Sequence, residues 1–160
     1  SINNHELIGS NVEHTKSENI GGKFKEGNLL YIIIHYTAGA SRKSSVRALT
    51  KKEQENVSAH IVIGRDGITN QLVPFDEFVT AGKSSWDGKT GLNKYSIGIE
   101  IDNAGKLEER NGEYFTYFDK KIDAADVVKA VHRNNKKNKE GFGINSQMNR
   151  LKRVNTYVKT

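Results

Sequence analysis

An apolar, isoleucine-rich run from Leu29 to Ile34 interrupts a polar N-terminal region and predicts a central strand buried on both faces. Before it, residues 1–28 are polar and glycine-containing, with a turn signal at Asn19-Ile20-Gly21-Gly22, and read as an irregular arm. After it, Ser44 to Gln54 offers a serine N-cap and apolar positions at Val46 and Leu49, the spacing of a short helix. Val57 to Ile63 and Ile68 to Val73 flank the turn-forming Gly64-Arg65-Asp66-Gly67, which predicts a hairpin, and Tyr95 to Ile101 predicts a further buried strand. Between these lies a long polar loop, Ala81 to Asn93, holding Trp86, the only tryptophan. Glu113 to Phe118 predicts a strand in an inserted hairpin after Asn111-Gly112. Asp123 to Val131 reads as a helix capped by Asp123, and Met148, Leu151, Val154 and Val158 recur at the spacing of a final amphipathic helix from Ser146. Strands mixed with helices point to an α/β fold, with 160 residues enough for one domain spanning 1–160.

Composition narrows the chemistry. There is no cysteine, which excludes disulfides, thiolate ligands and a cysteine nucleophile, so any metal falls to His, Asp or Glu. No apolar run approaches the roughly 20 residues of a membrane span, and none is expected. Residues 1–24 lack the apolar core of a secretory signal. Lys and Arg number 25 against 19 Asp and Glu, a net charge of +6 that attracts polyanions such as nucleic acid or an anionic cell wall. Much of the excess sits at Lys136, Lys137, Lys139, Arg150, Lys152, Arg153 and Lys159, where a solvated surface explains it; nucleic-acid binding would rest on charge alone and is not expected.

Two residues carry the candidate chemistry. His35 ends the Leu29–Ile34 run just before Tyr36-Thr37-Ala38-Gly39, where a rigid strand end can present an imidazole as metal ligand or general base; a structural histidine is the competing reading. Glu100 interrupts the apolar Ser96-Ile97-Gly98-Ile99-Glu100-Ile101. Buried there it would have a raised pKa suited to general acid/base work, whereas on an edge strand it would simply face solvent. His60, in Val57-Ser58-Ala59-His60-Ile61, is either a satisfied core histidine or a substrate contact, and His132 either caps a helix or serves chemistry. His5 and His14 sit in the arm and carry little signal.

In their order, Tyr31-Ile32-Ile33-Ile34-His35-Tyr36-Thr37-Ala38-Gly39, Val57-Ser58-Ala59-His60-Ile61-Val62-Ile63-Gly64-Arg65-Asp66-Gly67, Ala81-Gly82-Lys83-Ser84-Ser85-Trp86 and Asn93-Lys94-Tyr95-Ser96-Ile97-Gly98-Ile99-Glu100 resemble the N-acetylmuramoyl-L-alanine amidases. These are the zinc amidases related to phage T7 lysozyme, bacterial recycling amidases and peptidoglycan recognition proteins. The resemblance implies a mixed central β-sheet flanked by helices and a zinc ion that activates water to cut the amide between N-acetylmuramic acid and L-alanine. It implies His35 as the first zinc ligand, Glu100 as catalytic acid/base, and His60, Thr80, Trp86 and Asn93 as substrate-side residues. The expected partner is peptidoglycan or its muropeptides, bound by a monomer in the periplasm, outside the cell, or delivered to the wall by a phage. Two departures stand out. Val79-Thr80-Ala81-Gly82 replaces the family's Trp-His-Ala-Gly, and nothing matches the second and third zinc ligands, since no histidine follows His132 and the only proline is Pro74. The chain is therefore expected to be an amidase domain truncated at its C-terminus, one that recruits other ligands such as His60 or His132, or a catalytically inactive peptidoglycan-binding module.

Overall fold

The computed structural model describes residues 1–52, 57–80, 82–131 and 140–144. It groups into two compact units, Ser1–Asp102 and Asn103–Thr160.

The N-terminal arm is not irregular. It forms four short strands, β1 (Ile2–Asn3), β2 (Glu6–Leu7), β3 (Val12–His14) and β4 (Ile20–Lys23). β1 and β2 pair with each other. The strands are too short to show an alternating pattern, and β3 and β4 find their partners more than fifty residues away, so no local signal announces them. The apolar run becomes β5 (Tyr31–Tyr36). It leads into helix α1 (Arg42–Thr50), whose N-cap is Ser41. Ser44, the expected cap, is instead the N3 member of a capping box: its hydroxyl accepts from Ser41 N–H at 3.1 Å while Ser41 Oγ accepts from Ser44 N–H at 3.2 Å.

The expected hairpin around Gly64–Gly67 is present as β6 (Ile61–Ile63) and β7 (Thr69–Gln71), antiparallel with Ile63 opposite Thr69. β8 (Glu77–Val79) pairs with β4. The polar Ala81–Asn93 loop contains the two-residue strands β9 (Ser85–Trp86) and β10 (Lys89–Thr90). They turn at Asp87-Gly88, both at positive φ (50° and 72°), the geometry of a tight hairpin. A 3₁₀ turn at Leu92–Tyr95 then feeds β11 (Ser96–Ile101).

The main sheet has five strands in the order β3-β7-β6-β11-β5. It is mixed, with β6 and β7 antiparallel and the other neighbours parallel. β5 is therefore not central. It lies at the sheet edge, and Ile32 is 57% exposed. An apolar run reports burial of some faces but not position within a sheet, and here Ile33 and Ile34 are only half-buried. One face carries α1, whose Val46 packs with Val62, Leu72, Val73 and Val79.

The buried Arg42 ties this layer together. Its Nε donates to both oxygens of Asp66, at 3.2 and 3.0 Å, and its Nη1 to Glu13 at 2.8 Å and to Asn70. Gly64 lets the hairpin close over that cluster, because a Cβ there would lie 2.1 Å from Asp66 Oδ1, 2.6 Å from Arg42 Cδ and 3.0 Å from the Ile68 carbonyl oxygen. Gly64→Ala is expected to lower unfolding free energy by about 2 kcal/mol, in the range of overpacking in a tight site. Chemical denaturation would show this, and an unchanged midpoint would mean the turn relaxes freely.

The second unit holds β12 (Glu108–Arg110), β13 (Glu113–Phe115) and β14 (Lys121–Ile122) in one antiparallel sheet. β15 (Val127–Val131) and β16 (Glu140–Ile144) form a second pair. Ala104, Leu107 and Ile144 make its core, with Tyr114, Ile122, Val127 and Phe142 against them. The hairpin after Asn111-Gly112 is present, but its second strand stops at Phe115. The helix expected over Asp123–Val131 is absent. Asp123 does cap, its carboxylate accepting from Ala125 N–H at 2.9 Å, but only a 3₁₀ turn, Ala124–Asp126, follows before β15 begins. The valines fit helical spacing and equally suit a strand once Glu140–Ile144 supplies a partner. His132, the basic cluster from Lys136 and the final helix lie outside the described residues. Among the described residues no helix is long and apolar enough to cross a membrane.

Candidate active site

His35 and Glu100 reach the same place from different strands. β5 and β11 run parallel with His35 opposite Glu100 in register, so both side chains project from one face at strands about 4.8 Å apart. Val62 of β6 is the next neighbour of Glu100 in that row, and Val62 is fully buried beneath α1. Helix and candidate residues therefore share a face, at the carboxyl ends of the parallel strands, where sheets of this kind place their sites.

The packing explains the electrostatics. Glu100 sits on a strand with isoleucines on either side, and its Oε2 is buried with no hydrogen-bond partner among the described residues. Burial raises its carboxyl to about 7. His35 is exposed as a residue, yet its surroundings desolvate the ring enough to lower its pKa and favour the neutral imidazole. At neutral pH the pair thus offers a ring nitrogen lone pair beside a carboxyl poised between its two protonation states.

A zinc site needs about three protein ligands. The orphaned Oε2 and the neutral His35 ring are suitable donors, but among the described residues no group of three His, Cys, Asp or Glu side chains stands ready to hold a metal. The described residues alone therefore do not make up the zinc site.

His60 has a different place. It is fully buried, stacked on Phe24 at 6.0 Å and Phe75 at 6.4 Å between ring centroids. Its Nδ1 accepts from Gly98 N–H at 3.0 Å, which leaves Nε2 as the donor to the Glu77 carbonyl at 2.8 Å. Both nitrogens are engaged by backbone groups, as in a satisfied core histidine, and the ring braces β11 two residues before Glu100. Thr80 directly follows β8, with its N–H and Oγ1 both donating to the Asn19 carbonyl, at 3.0 and 3.1 Å. Asn93 donates through Nδ2 to the Val79 carbonyl at 3.0 Å, which places it beside Thr80. Trp86 is 60% exposed on the β9–β10 hairpin. The structure thus brings His35 and Glu100 together, and Thr80 and Asn93 together, with Trp86 on its own projection. Sequence reasoning does not single out Arg65 and Asp102, which bind each other near the ends of these strands. A turn arginine and an aspartate 37 positions later leave no local pattern.

Comparison with known proteins finds amidases similar to part of the chain. Over 97 residues the chain is 39% identical to the N-acetylmuramoyl-L-alanine amidase AmiD of Escherichia coli (strain K12), covering 55% of this chain and 33% of that protein. Over 59 residues it is 44% identical to the 1,6-anhydro-N-acetylmuramyl-L-alanine amidase AmpD of Citrobacter freundii, covering 36% of this chain and 32% of that one. The chain thus spans about a third of the length of these relatives. A solved complex of the E. coli AmiD with anhydro-N-acetylmuramic acid-L-Ala-D-gamma-Glu-L-Lys superposes at a TM-score of 0.45, with 32% identity, over 62% of this chain and 45% of that one. The profile of the N-acetylmuramoyl-L-alanine amidase family matches residues 25–145, three quarters of the chain and every element that carries His35 and Glu100, and the chain therefore belongs to that family.

Proposed function

We propose that this chain hydrolyses the amide bond between N-acetylmuramic acid and L-alanine in peptidoglycan or in muropeptides released from it. The observation that carries the reading is Glu100: a carboxyl raised to about 7, one oxygen buried without a partner, in register with a neutral histidine. Such a group takes a proton from water as its oxygen bonds to the lactyl carbonyl carbon. It then delivers that proton to the nitrogen of L-alanine as the carbon–nitrogen bond breaks, so the proton and the leaving amine balance. Family membership and the activities for which the relatives are named support the same bond as target.

His35 is the imidazole that would help hold zinc in this reading, and the ion's chemistry is to polarise the carbonyl and acidify water. Thr80, Asn93 and Trp86 are proposed to meet the glycan or the peptide stem. The substrate places the protein at the cell wall or its fragments, in the periplasm, outside the cell, or carried there by a phage.

The test is incubation of the purified chain, with zinc added and again after chelation, with sacculi and with an anhydromuramyl tripeptide, followed by mass spectrometry for free L-alanine amino termini. Zinc-dependent cleavage at that amide is expected. Tight binding with no cleavage would identify a wall-binding domain without catalysis and sink the enzymatic reading.

A further inference from the structure

The guanidinium of Arg65, in the β6–β7 turn, gathers the ends of three parallel strands. Its Nε donates to Asp102 Oδ2 at 3.0 Å and its Nη2 to Asp102 Oδ1 at 3.2 Å, a fork on a carboxylate one residue past β11. The same Nη2 donates to the carbonyls of Ala40 at 3.0 Å and Gly39 at 3.4 Å, in the segment joining β5 to α1. Asp102 is only 4% exposed, while Arg65 is 32% exposed. Arg65 follows β6, Asp102 follows β11, and Gly39 and Ala40 follow β5, so one side chain joins all three carboxyl ends.

The segment it holds takes an unfavourable course. Ala38 has φ 47°, in the left-handed region that costs a residue with a Cβ free energy and persists only where surroundings enforce it. Gly39 packs so closely that a Cβ there would lie 2.4 Å from Ser45 Oγ. Thr37 N–H still bonds the Ile101 carbonyl at 3.0 Å, and Ser41 begins the cap of α1, so the strained residues lie between two fixed points, immediately after the strand end that carries His35. Gly39 N–H bonds Thr37 Oγ1 at 3.2 Å, a contact within the segment, whereas Arg65 ties it to the sheet.

We propose that Arg65 is a positioning residue: its fork on Asp102 and its reach to the Gly39 and Ala40 carbonyls hold the Thr37–Ser41 segment, and through it the presentation of His35 beside Glu100. The inference rests on the amidase reading of that pair. Lysine cannot replace arginine in this role, because one ammonium can meet the Asp102 carboxylate but lacks the planar fork that reaches both partners at once.

The experiment uses Arg65→Lys, which keeps the charge pair with Asp102 and hence the fold. In the zinc-free chain, backbone order parameters of Ala38, Gly39 and Ala40 are expected to fall from about 0.85 to below 0.6. The His35 χ1 couplings are expected to change from one rotamer to an average of several. Cleavage of the anhydromuramyl tripeptide is expected to lose roughly 10- to 100-fold in kcat, with KM within about threefold, the signature of misplaced reacting groups. The double variant Arg65→Gln with Asp102→Asn removes both charges and should loosen the same segment. A segment that stays ordered with His35 unaltered in both variants would overturn the proposal, as would a loosened segment with unchanged kcat. If the wild-type chain does not cleave, the amidase reading fails by itself, and the order parameters and His35 couplings still decide whether Arg65 does this positioning.

Discussion

Glu100→Gln is expected to lower amide cleavage by about 10²- to 10⁴-fold, the usual contribution of a positioned acid/base, while raising the stability of the metal-free chain at pH 8. The two effects have one cause. Burial lifts the Glu100 carboxyl from 4.5 in the unfolded chain to about 7 in the fold. Between those values the native state holds a proton that the unfolded chain has released. The neutral carboxyl is therefore compatible with the fold below about pH 4.5, and stability is lost as pH rises through about 7, where the buried group must ionise. At pH 8 that cost is on the order of 3 kcal/mol. Glutamine has nearly the same shape and never ionises, so thermal unfolding in the presence of a chelator should show the variant melting above wild type at pH 8 and the gap closing near pH 4. Equal melting at pH 8 would mean that Glu100 is solvated. Undiminished cleavage would remove it from the chemistry.

The site was more legible than its surroundings. A carboxylate inside Ser96–Ile101 stands out because burial makes it costly, and a histidine ending an apolar run stands out because it sits where a rigid strand gives way to a loop. That they meet follows from parallel pairing, which no local signal encodes but which places Glu100 opposite His35. The hairpin at Gly64–Gly67 was legible for the same local reason, a turn sequence between β-rich segments.

What was hidden depends on contacts distant in sequence. β3 pairs with β7, β4 with β8, and Val127–Val131 becomes a strand rather than a helix because Glu140–Ile144 completes it. The edge position of β5 was hidden too, since the isoleucine run is the same whether one neighbour or two pair with it. Arg65 belongs with these. In sequence it is an ordinary turn residue, and only the fold brings Asp102, Gly39 and Ala40 within its reach.

His60 decides how firmly the Glu100 strand is held, and its replacement is expected to have the largest effect on stability. His60→Ala should cost about 3–5 kcal/mol, because it empties a fully buried ring site stacked on Phe24 and Phe75 and orphans two backbone groups. His60→Phe keeps a ring but leaves the Gly98 N–H and the Glu77 carbonyl without their partners, at a cost of about 2–3 kcal/mol. The difference between the two separates packing from hydrogen bonding. The pH dependence reports the charge state of the ring. Desolvation lowers the His60 pKa below the 6.5 of an unfolded histidine, outweighing the Glu77 bond, so on acidification the unfolded chain takes up the proton first. Stability should therefore be full above about pH 6.5 and decline below it until the folded ring itself protonates and the Gly98 N–H loses its acceptor. His35, also shifted down by desolvation, contributes in the same direction, so the comparison must be between wild type and His60→Phe rather than with wild type alone. Denaturant midpoints from pH 8 to pH 5 should fall more steeply for wild type than for His60→Phe. Parallel profiles would mean that His60 is protonated equally in both states, and only the size of the gap between the two proteins would then measure what the ring's hydrogen bonds contribute to holding β11.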